Sequence, residues 1–238
     1  MVNNTNKQDK DISLSSDLNK LYENRFVNTE ADDNQKKRNA IWNVLCEQFF
    51  SKFISEKDVV CDVAAGYCEF INNIKAQKKY AVDLNPSVKK YASPEIDVIN
   101  DNVFNLNNHL KDKNVSVFFV SNFLEHLNSK QDVCNLINKL TALLIPGGKI
   151  LILQPNIRLV GGAYWDFIDH KTQLTEKALI EVAEMNNLKV SNCITRFLPY
   201  TTKSALPKNA KLVSLYLKLM PFSGYFFGKQ SFLVFEKP

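Results

Sequence analysis

The stretch Asp62-Val63-Ala64-Ala65-Gly66-Tyr67-Cys68-Glu69-Phe70 decides the fold of this 238-residue chain. It follows an apolar run of strand length, residues 58–63, and leads directly into a helical pattern. In an open α/β sheet, ligands bind where such a strand turns into a helix. The stretch therefore predicts both an α/β fold and the position of its binding site.

Short apolar runs alternate with helical patterns along most of the chain. The runs are bounded by turn residues and mostly lack polar alternation, which is typical of parallel strands covered on both faces. The helical patterns include residues 130–144 and 175–186. This order predicts a doubly wound α/β sheet. The seven strand candidates are residues 58–63, 80–83, 96–99, 115–120, 149–153, 189–195 and 230–236.

The chain is expected to contain one folded domain preceded by a polar segment. Residues 1–34 are rich in Asn, Asp, Ser and Lys, so they should be partly disordered. The domain over residues 35–238 opens with a helix predicted over residues 34–55, and 45% hydrophobic content supports one substantial core. Residues 197–229 form a basic, apolar insert between the last two strands.

Composition disfavours several classes of protein. The first residues lack the charged and apolar pattern of an export signal, and no apolar run is long enough to span a membrane, so a cytoplasmic protein is expected. The five cysteines are scattered without a Cys-x-x-Cys pair, which predicts reduced thiols and no metal site. No nucleic-acid-binding module is recognisable, so no nucleic-acid partner is expected. The sequence leaves the oligomeric state open.

A carboxylate ends the second strand candidate, Tyr80-Ala81-Val82-Asp83. A carboxylate there can accept hydrogen bonds from both hydroxyls of a ribose, although a helix-capping role is the alternative. S-adenosylmethionine and nicotinamide dinucleotides both contain such a ribose. A pyrophosphate favours glycines at the positions of Ala64 and Cys68, whereas a sulfonium cofactor tolerates side chains there.

The chain resembles the class I S-adenosylmethionine-dependent methyltransferases, whose first motif is an acidic residue followed by glycines at alternate positions. Asp62 and Gly66 match this motif, and Ala64 and Cys68 replace the other two glycines. The resemblance covers roughly residues 38–195. It implies a Rossmann-like, mostly parallel seven-stranded sheet with an antiparallel final strand, and S-adenosyl-L-methionine as cofactor.

Three later segments match the family in the expected order. Asp101-Asn102-Val103 follows the third strand, where the family contacts adenine, and Ser121-Asn122-Phe123-Leu124-Glu125-His126 follows the fourth, beside the methyl donor. Leu144-Ile145-Pro146-Gly147-Gly148-Lys149 resembles the turn before the fifth strand. A helix cap at Asp101 and a simple turn at residues 146–148 are the alternatives. The implied cofactor site comprises Asp62, Ala64, Gly66, Asp83, Leu84, Asp101, Asn102, Val103, Ser121 and Asn122.

Two histidines are the candidates for catalysis. Methyl transfer is an in-line displacement that depends on alignment in a dry site, and a hydroxyl acceptor also benefits from a general base. His170 and His126 could take that proton near neutral pH, with Asp166 and Asp169 as orienting partners. Asp166 and His170 would meet if residues 162–170 were helical. Packing of the loop explains His126 equally well.

Residues 155–158 and 164–170 resemble the substrate-side elements of bacterial methyltransferases associated with surface-polysaccharide and lipid pathways. This resemblance implies O-methylation of a small-molecule, glycan or lipid-linked acceptor. Two alternative functions remain. The chain could be a non-catalytic methyltransferase-like binding module, which Ala64 and Cys68 permit, or a nucleotide-dependent reductase on the same sheet.

The insert carries a charge asymmetry that the net charge of +5 conceals, because residues 185–235 contain no Asp or Glu but seven Lys or Arg. Residues 210–220 predict a short helix with Lys211, Ser214 and Lys218 along one stripe, followed by an aromatic cluster. Such a stretch suits peripheral contact with an anionic membrane, at its inner face, or a lid over the acceptor. A helix packed on the sheet with its lysines in solvent is the alternative.

Overall fold

A computed structural model describes residues 31–200 and 209–238, with side chains from residue 35 onward. Seven strands form one sheet in the order β3-β2-β1-β4-β5-β7-β6. β7 runs antiparallel to its neighbours β5 and β6, and the other pairs are parallel. The predicted fold class is therefore confirmed. The strands are β1 Val59–Val63, β2 Lys78–Val82, β3 Asp97–Ile99, β4 Val115–Ser121, β5 Leu144–Pro155, β6 Lys189–Ile194 and β7 Gln230–Glu236.

Nine α-helices lie within the described part of the chain. Short 3-10 helices cover Phe50–Lys52, Val103–Asn105, Leu124–His126 and Gly161–Asp166. The α-helices are α1 Ala31–Gln48, α2 Glu69–Asn73, α3 Val88–Tyr91, α4 Asn107–Leu110, α5 Lys130–Leu143, α6 Ile157–Val160, α7 Glu176–Met185, α8 Ala210–Lys218 and α9 Phe222–Phe227.

The core consists of two apolar layers, one on each face of the sheet. One layer packs α5 and α7 against the sheet. The other brings α1, α2 and the insert against the opposite face, where the Phe50 ring lies 5.1 Å from the Phe119 ring and 5.7 Å from the Phe70 ring. The backbone tightens into a 3-10 turn after α1, which directs Phe50 into this layer. The predicted helix over residues 34–55 was therefore too long at its C-terminal end.

The glycine pair before the fifth strand lies inside β5 instead of forming a separate turn. Val115 pairs with Leu144 and Val117 with Lys149, so the intervening residues bulge out of the register. Gly147 adopts a φ of 73° there, and its backbone N–H donates to the Lys237 carbonyl at 2.9 Å. A positive φ of this kind favours glycine. The predicted turn at residues 146–148 is thus a β-bulge.

The insert packs on α1 and on the end of β6. Ser214 donates to the Gln48 side chain at 3.0 Å, and Tyr216 donates to the Phe197 carbonyl at 2.6 Å. Two glycines bring α9 against the backbone of Arg196. A Cβ on Gly228 would lie 2.6 Å from the Arg196 carbonyl carbon, and Gly224 has even less room. Ser214 therefore faces inward, and the predicted stripe with Lys211 and Lys218 does not form one surface.

Candidate active site

The loop after β1, residues 64–68, has an alternating backbone conformation and is called the first loop below. Ala64, Gly66 and Cys68 have φ values of 60°, 53° and 58°. These are the three positions where the methyltransferase motif has glycine. A Cβ at such a φ costs about 1–2 kcal/mol, so Ala64 and Cys68 keep the conformation at an energetic cost. The three alternate positions thus share one left-handed conformation, although two of them carry a side chain.

Asp83 joins the first loop to the end of β2. Its Oδ2 accepts a hydrogen bond from the Gly66 backbone N–H at 2.8 Å, and its Oδ1 accepts from the Asn85 backbone N–H at 2.8 Å. The Asn100 side chain donates to the carbonyls of Asp83 and Leu84 at 2.9 and 3.0 Å. The ends of β1, β2 and β3 therefore form one hydrogen-bonded edge. Leu84 projects from it with 68% of its surface exposed.

Three carboxylates surround the first loop. Asp62 is only 4% exposed, and its burial, together with the negative charges of Asp83 and Glu69, raises its pKa well above the usual range. Burial also raises the pKa of Asp83 and of Glu69. Arg38 opposes the shift at Glu69, to which its Nε donates at 2.8 Å. The first loop is therefore surrounded by three acidic side chains, of which Glu69 is paired with a cation, Arg38.

Asp101 lies after β3 and is held by a local network. It accepts hydrogen bonds from the Asn102 backbone at 2.6 Å and from the Asn105 side chain at 2.8 Å. His109 contacts its other oxygen at 2.8 Å, and these partners lower the pKa of Asp101 to about 2. Asn102 caps the 3-10 helix that begins at Val103. The helix cap considered for Asp101 is therefore provided by its neighbour Asn102, and an adenine contact of Asp101 stays a prediction.

The end of β4 brings Ser121 and Asn122 to the same edge of the sheet. Asn122 has a φ of 48°, and its side chain donates to the Ser121 hydroxyl at 3.1 Å. Its backbone N–H donates to the Leu153 carbonyl on β5 at 2.8 Å. The polypeptide turns sharply here, and the following 3-10 helix ends at His126.

Two segments far apart in sequence are joined beside this turn. The Glu125 carbonyl accepts from the backbone N–H groups of Lys171 and Thr172 at 2.8 and 3.0 Å. The Thr172 hydroxyl donates to the Leu127 carbonyl at 2.6 Å, and the Tyr164 hydroxyl donates to the Thr172 carbonyl. These bonds bring together Glu125, His126, Asp169 and His170, which are called the histidine cluster below.

Oxygen acceptors orient both imidazole rings of the cluster. His126 Nδ1 lies 3.3 Å from the Asp169 carboxylate and 3.2 Å from its carbonyl, while His170 Nδ1 lies 2.8 Å from the Tyr164 carbonyl. Because carbonyls only accept, Nδ1 carries the proton in each neutral ring and Nε2 carries the lone pair. The His170 ring stacks on Phe167 and lies 5.1 Å from the His126 ring.

Asp166 differs in position from the other predicted catalytic residues. The 3-10 helix ends at Asp166, and Phe167 is extended, so residues 162–170 are not one helix. The helical premise for pairing Asp166 with His170 is therefore wrong. Asp166 is exposed, whereas Asp169 is buried and contacts His126. Of the two predicted orienting acids, Asp169 has the geometry for that role at His126.

Glu125 is a buried carboxyl group that the sequence reasoning passed over, although it immediately precedes His126. Burial raises the pKa of the Glu125 carboxyl to about 7. The Gln154 amide lies close enough to lower the pKa in part, but neither of its side-chain polar atoms forms a hydrogen bond of good geometry. Asn100 was also not predicted. Its hydrogen bonds to the loop after β2 form only in the folded sheet, and no local motif marks this residue.

The outer surface of the insert exposes a continuous series of large apolar side chains, called the apolar patch below. Lys211 and Lys218 are exposed on the same helix as two of its members. No helix in the described ranges is long and apolar enough to cross a membrane. The members of the apolar patch are Leu212, Leu215, Leu219, Phe222, Tyr225, Phe226 and Phe227, which are 44–69% exposed.

No family model matches this sequence, and no curated protein matches it. Solved structures do match. A methyltransferase from Archaeoglobus fulgidus that depends on S-adenosylmethionine has a TM-score of 0.61 and 16% identity, over 91% of this chain and 98% of its own. The fold is the methyltransferase fold. A Thermotoga maritima protein named as a possible histamine N-methyltransferase has a TM-score of 0.61 and 14% identity, with the same coverage.

A third methyltransferase structure contains two bound ligands. The plantazolicin methyltransferase in complex with a triazolic desmethyl analogue and S-adenosylhomocysteine has a TM-score of 0.57 and 14% identity, over 93% of this chain and 90% of its own. These similarities at low identity concern the fold. The chemistry of this chain has to be argued from its own residues.

Proposed function

We propose that this protein is an S-adenosylmethionine-dependent methyltransferase that binds its cofactor across the first loop and Asp83. The observation that carries the proposal is the set of three carboxylates around that loop, Asp62, Glu69 and Asp83. S-adenosylmethionine carries a sulfonium cation, which such an edge attracts. The pyrophosphate of a nicotinamide dinucleotide is an anion, and the same edge repels it. This electrostatic difference favours a methyltransferase over a reductase.

Asp83 retains the capacity to bind a ribose. Each of its oxygens accepts one backbone hydrogen bond, and a carboxylate offers about four lone-pair sites in total. Two sites therefore stay available for a pair of hydroxyls. The exposed Leu84 offers an apolar surface for an adenine ring next to it. Asp101, Asn102 and Val103 follow on the neighbouring strand, where the base would extend.

The histidine cluster supports catalysis on the acceptor side. In the proposed reaction the acceptor oxygen attacks the methyl carbon as the carbon–sulfur bond breaks, and the electron pair returns to sulfur to give S-adenosylhomocysteine. The hydroxyl proton passes to an imidazole, with His170 as the first candidate and His126 as the second. Buried side chains and backbone carbonyls fix both rings, which favours a pre-aligned site. Asp166 would contact the acceptor from the exposed rim.

Calorimetry with two ligands tests the cofactor assignment. The full chain should bind S-adenosylhomocysteine and show no heat with NAD, because only the first ligand lacks a pyrophosphate. Binding of NAD instead would overturn the proposal in favour of a reductase. A chain that binds S-adenosylhomocysteine but never transfers methyl groups to the acceptors tested would favour the non-catalytic module. Candidate glycan and lipid-linked acceptors are screened by mass spectrometry for the mass of one added methylene.

The apolar patch supports a second part of the proposal, namely that the protein is cytoplasmic and makes peripheral contact with an anionic membrane that contains a lipid-linked acceptor. Phe222 is 68% exposed and Tyr225 is 69% exposed, and large aromatic side chains in such numbers mark an interaction surface. Lys211 and Lys218 lie among the exposed leucines of α8. Basic residues near an anionic surface contribute about 1 kcal/mol each, and apolar side chains insert at the headgroup boundary.

Liposome co-sedimentation tests this contact. The protein should bind vesicles that contain phosphatidylserine and not neutral vesicles, and salt should weaken the binding. The pair Lys211→Glu and Lys218→Glu should weaken binding strongly. The control variant, Lys111→Glu with Lys113→Glu, makes the same change in net charge outside the insert. It should bind the vesicles about as well as the wild-type protein. Indifference to both vesicle types would remove the membrane contact and leave the insert as a lid over the acceptor pocket.

A further inference from the structure

The histidine cluster brings together three side chains with metal-binding donors. One carboxylate oxygen of Glu125 and one ring nitrogen from each of His126 and His170 lie within 4.8 Å of one another. No other group of three such donors occurs this close together in residues 35–200 and 209–238. Glu125 and His126 end a 3-10 helix after β4, and His170 comes from a segment 44 residues later. Only the folded chain creates this arrangement.

The buried Glu125 carboxylate points to a missing partner. Its side chain is enclosed, with only 2% of the residue exposed. The Oε2 atom has no hydrogen-bond partner among the described residues. A carboxylate enclosed without a partner is costly, because both its charge and its lone pairs lose water without replacement. A cation between Glu125 and the two imidazoles would supply that partner.

The surroundings of both histidines match those of metal ligands. The Nδ1 atoms of His126 and His170 are directed at the Asp169 carboxylate and the Tyr164 carbonyl. Metal-binding histidines usually donate one ring N–H to such an oxygen, which orients the ring and makes the other nitrogen a better ligand. Asp169 is itself 2% exposed. The two rings are therefore held in a tautomer that can coordinate a cation through Nε2.

We propose that Glu125, His126 and His170 bind one divalent transition-metal cation, of the kind represented by Mn²⁺, Fe²⁺ or Zn²⁺. Imidazole ligands suit Fe²⁺ and Zn²⁺ and the carboxylate also suits Mn²⁺, whereas Mg²⁺ and Ca²⁺ prefer oxygen alone. Three protein ligands would leave positions open for an acceptor oxygen, and a cation there would lower the pKa of a bound hydroxyl. Because both Nε2 lone pairs would then be bound to the cation, this effect would take the place of proton transfer to an imidazole. The site itself stands on the geometry, and only its role in catalysis rests on the proposed methyl transfer. The absence of a Cys-x-x-Cys pair had predicted no metal site.

Mn²⁺ titration of the metal-free full chain, followed by the electron paramagnetic resonance of free Mn²⁺, tests the site directly. The wild-type protein should remove one Mn²⁺ per chain from solution, with competition by Zn²⁺ and little competition by Mg²⁺. Glu125→Gln and His170→Ala should each weaken binding more than tenfold. Asp169→Asn should weaken it about 10- to 100-fold, as expected for a group that orients a ligand. His109→Ala removes the third histidine of the chain and should leave binding unchanged.

Far-ultraviolet circular dichroism checks that each variant is folded, and calorimetry with S-adenosylhomocysteine is run on the same samples. Absence of Mn²⁺ and Zn²⁺ binding in a wild-type chain that binds S-adenosylhomocysteine would overturn the metal site and leave the proposed function intact. Unchanged Mn²⁺ binding in folded Glu125→Gln and His170→Ala would overturn it as well. Metal binding that these variants remove supports the site, and it does so even if S-adenosylhomocysteine fails to bind and the methyltransferase proposal falls.

Discussion

The first loop and the histidine cluster position their functional groups by different structural means. The first loop is short, continuous in sequence and shaped by backbone conformation, with left-handed φ values at Ala64, Gly66 and Cys68. The histidine cluster joins two segments more than 40 residues apart through side-chain and backbone hydrogen bonds. A backbone-shaped site tolerates changes in its side chains, whereas the cluster depends on the identity of each one.

The contrast predicts where substitutions should matter most. In the first loop, Ala64 and Cys68 differ from glycine and the geometry survives. In the histidine cluster, His126 depends on Asp169 and His170 depends on the Tyr164 carbonyl. Loss of one side chain there removes a donor that no backbone group can replace. The variants below test this difference, beginning with the largest expected effect.

His170→Ala should lower kcat by about 10²–10⁴-fold, the usual contribution of a group that activates a nucleophile. The affinity for S-adenosylhomocysteine should stay within about twofold, because His170 is outside the first loop. Steady-state assays with an identified acceptor give kcat, and calorimetry gives the affinity. If His126→Ala shows this loss and His170→Ala does not, the two histidines exchange roles. If neither does, the cluster has no part in the chemistry.

Asp83→Ala should weaken S-adenosylhomocysteine binding about 100-fold. Loss of two hydrogen bonds to a charged acceptor costs about 3 kcal/mol, and the Gly66 and Asn85 amides lose their partner as well. Asp97→Ala removes an exposed carboxylate from β3, where it pairs with Lys78, and serves as the control. Calorimetry on both variants measures the affinity. An unchanged affinity in a folded Asp83→Ala chain would refute the cofactor assignment.

Asp62 should make the stability of the free protein depend on pH. Burial raises its pKa in the folded state above the value of the unfolded chain, so the folded state holds the proton more tightly. The resulting stabilisation is complete below the unfolded pKa and is lost as pH rises through the folded pKa. Urea unfolding from pH 4 to pH 8 should show a falling free energy of unfolding. Asp62→Asn should reduce this dependence of the free energy of unfolding on pH. An unchanged dependence would show that Asp62 is not its source.

Ala64→Gly should raise the free energy of unfolding by about 0.5–1 kcal/mol. It relieves a left-handed Cβ that costs about 1–2 kcal/mol, and part of the gain is offset by the greater entropy of an unfolded chain with glycine. Ala65→Gly is the control, because the φ of Ala65 is not positive. It should instead destabilise the protein. Denaturant titrations compare the two. Destabilisation by both variants would show that the first loop is not strained at Ala64.

Local sequence patterns were enough to predict the strands and the position of Asp83. Periodicity located the seven strands within a few residues, apart from β5, whose bulge at Gly147 looked like a turn because register with β4 is a property of the sheet. Asp83 was placed at the edge of the sheet from its position at a strand end. The contact between Asp169 and His126 could be named only among alternatives. The partnerless carboxylate of Glu125 arises from burial, and burial by distant segments has no local signal.

The tight contact of Gly224 and Gly228 with the Arg196 backbone also determines how the molecule would stand on a surface. This contact ties α9, with the aromatic members of the apolar patch, directly to the chain at the end of β6. Docking through this patch would therefore fix the tilt of the whole protein above the bilayer. A lipid-linked acceptor would then meet the histidine cluster from one constant direction, and adding a methyl group at Gly228 should disturb that orientation before it disturbs the chemistry.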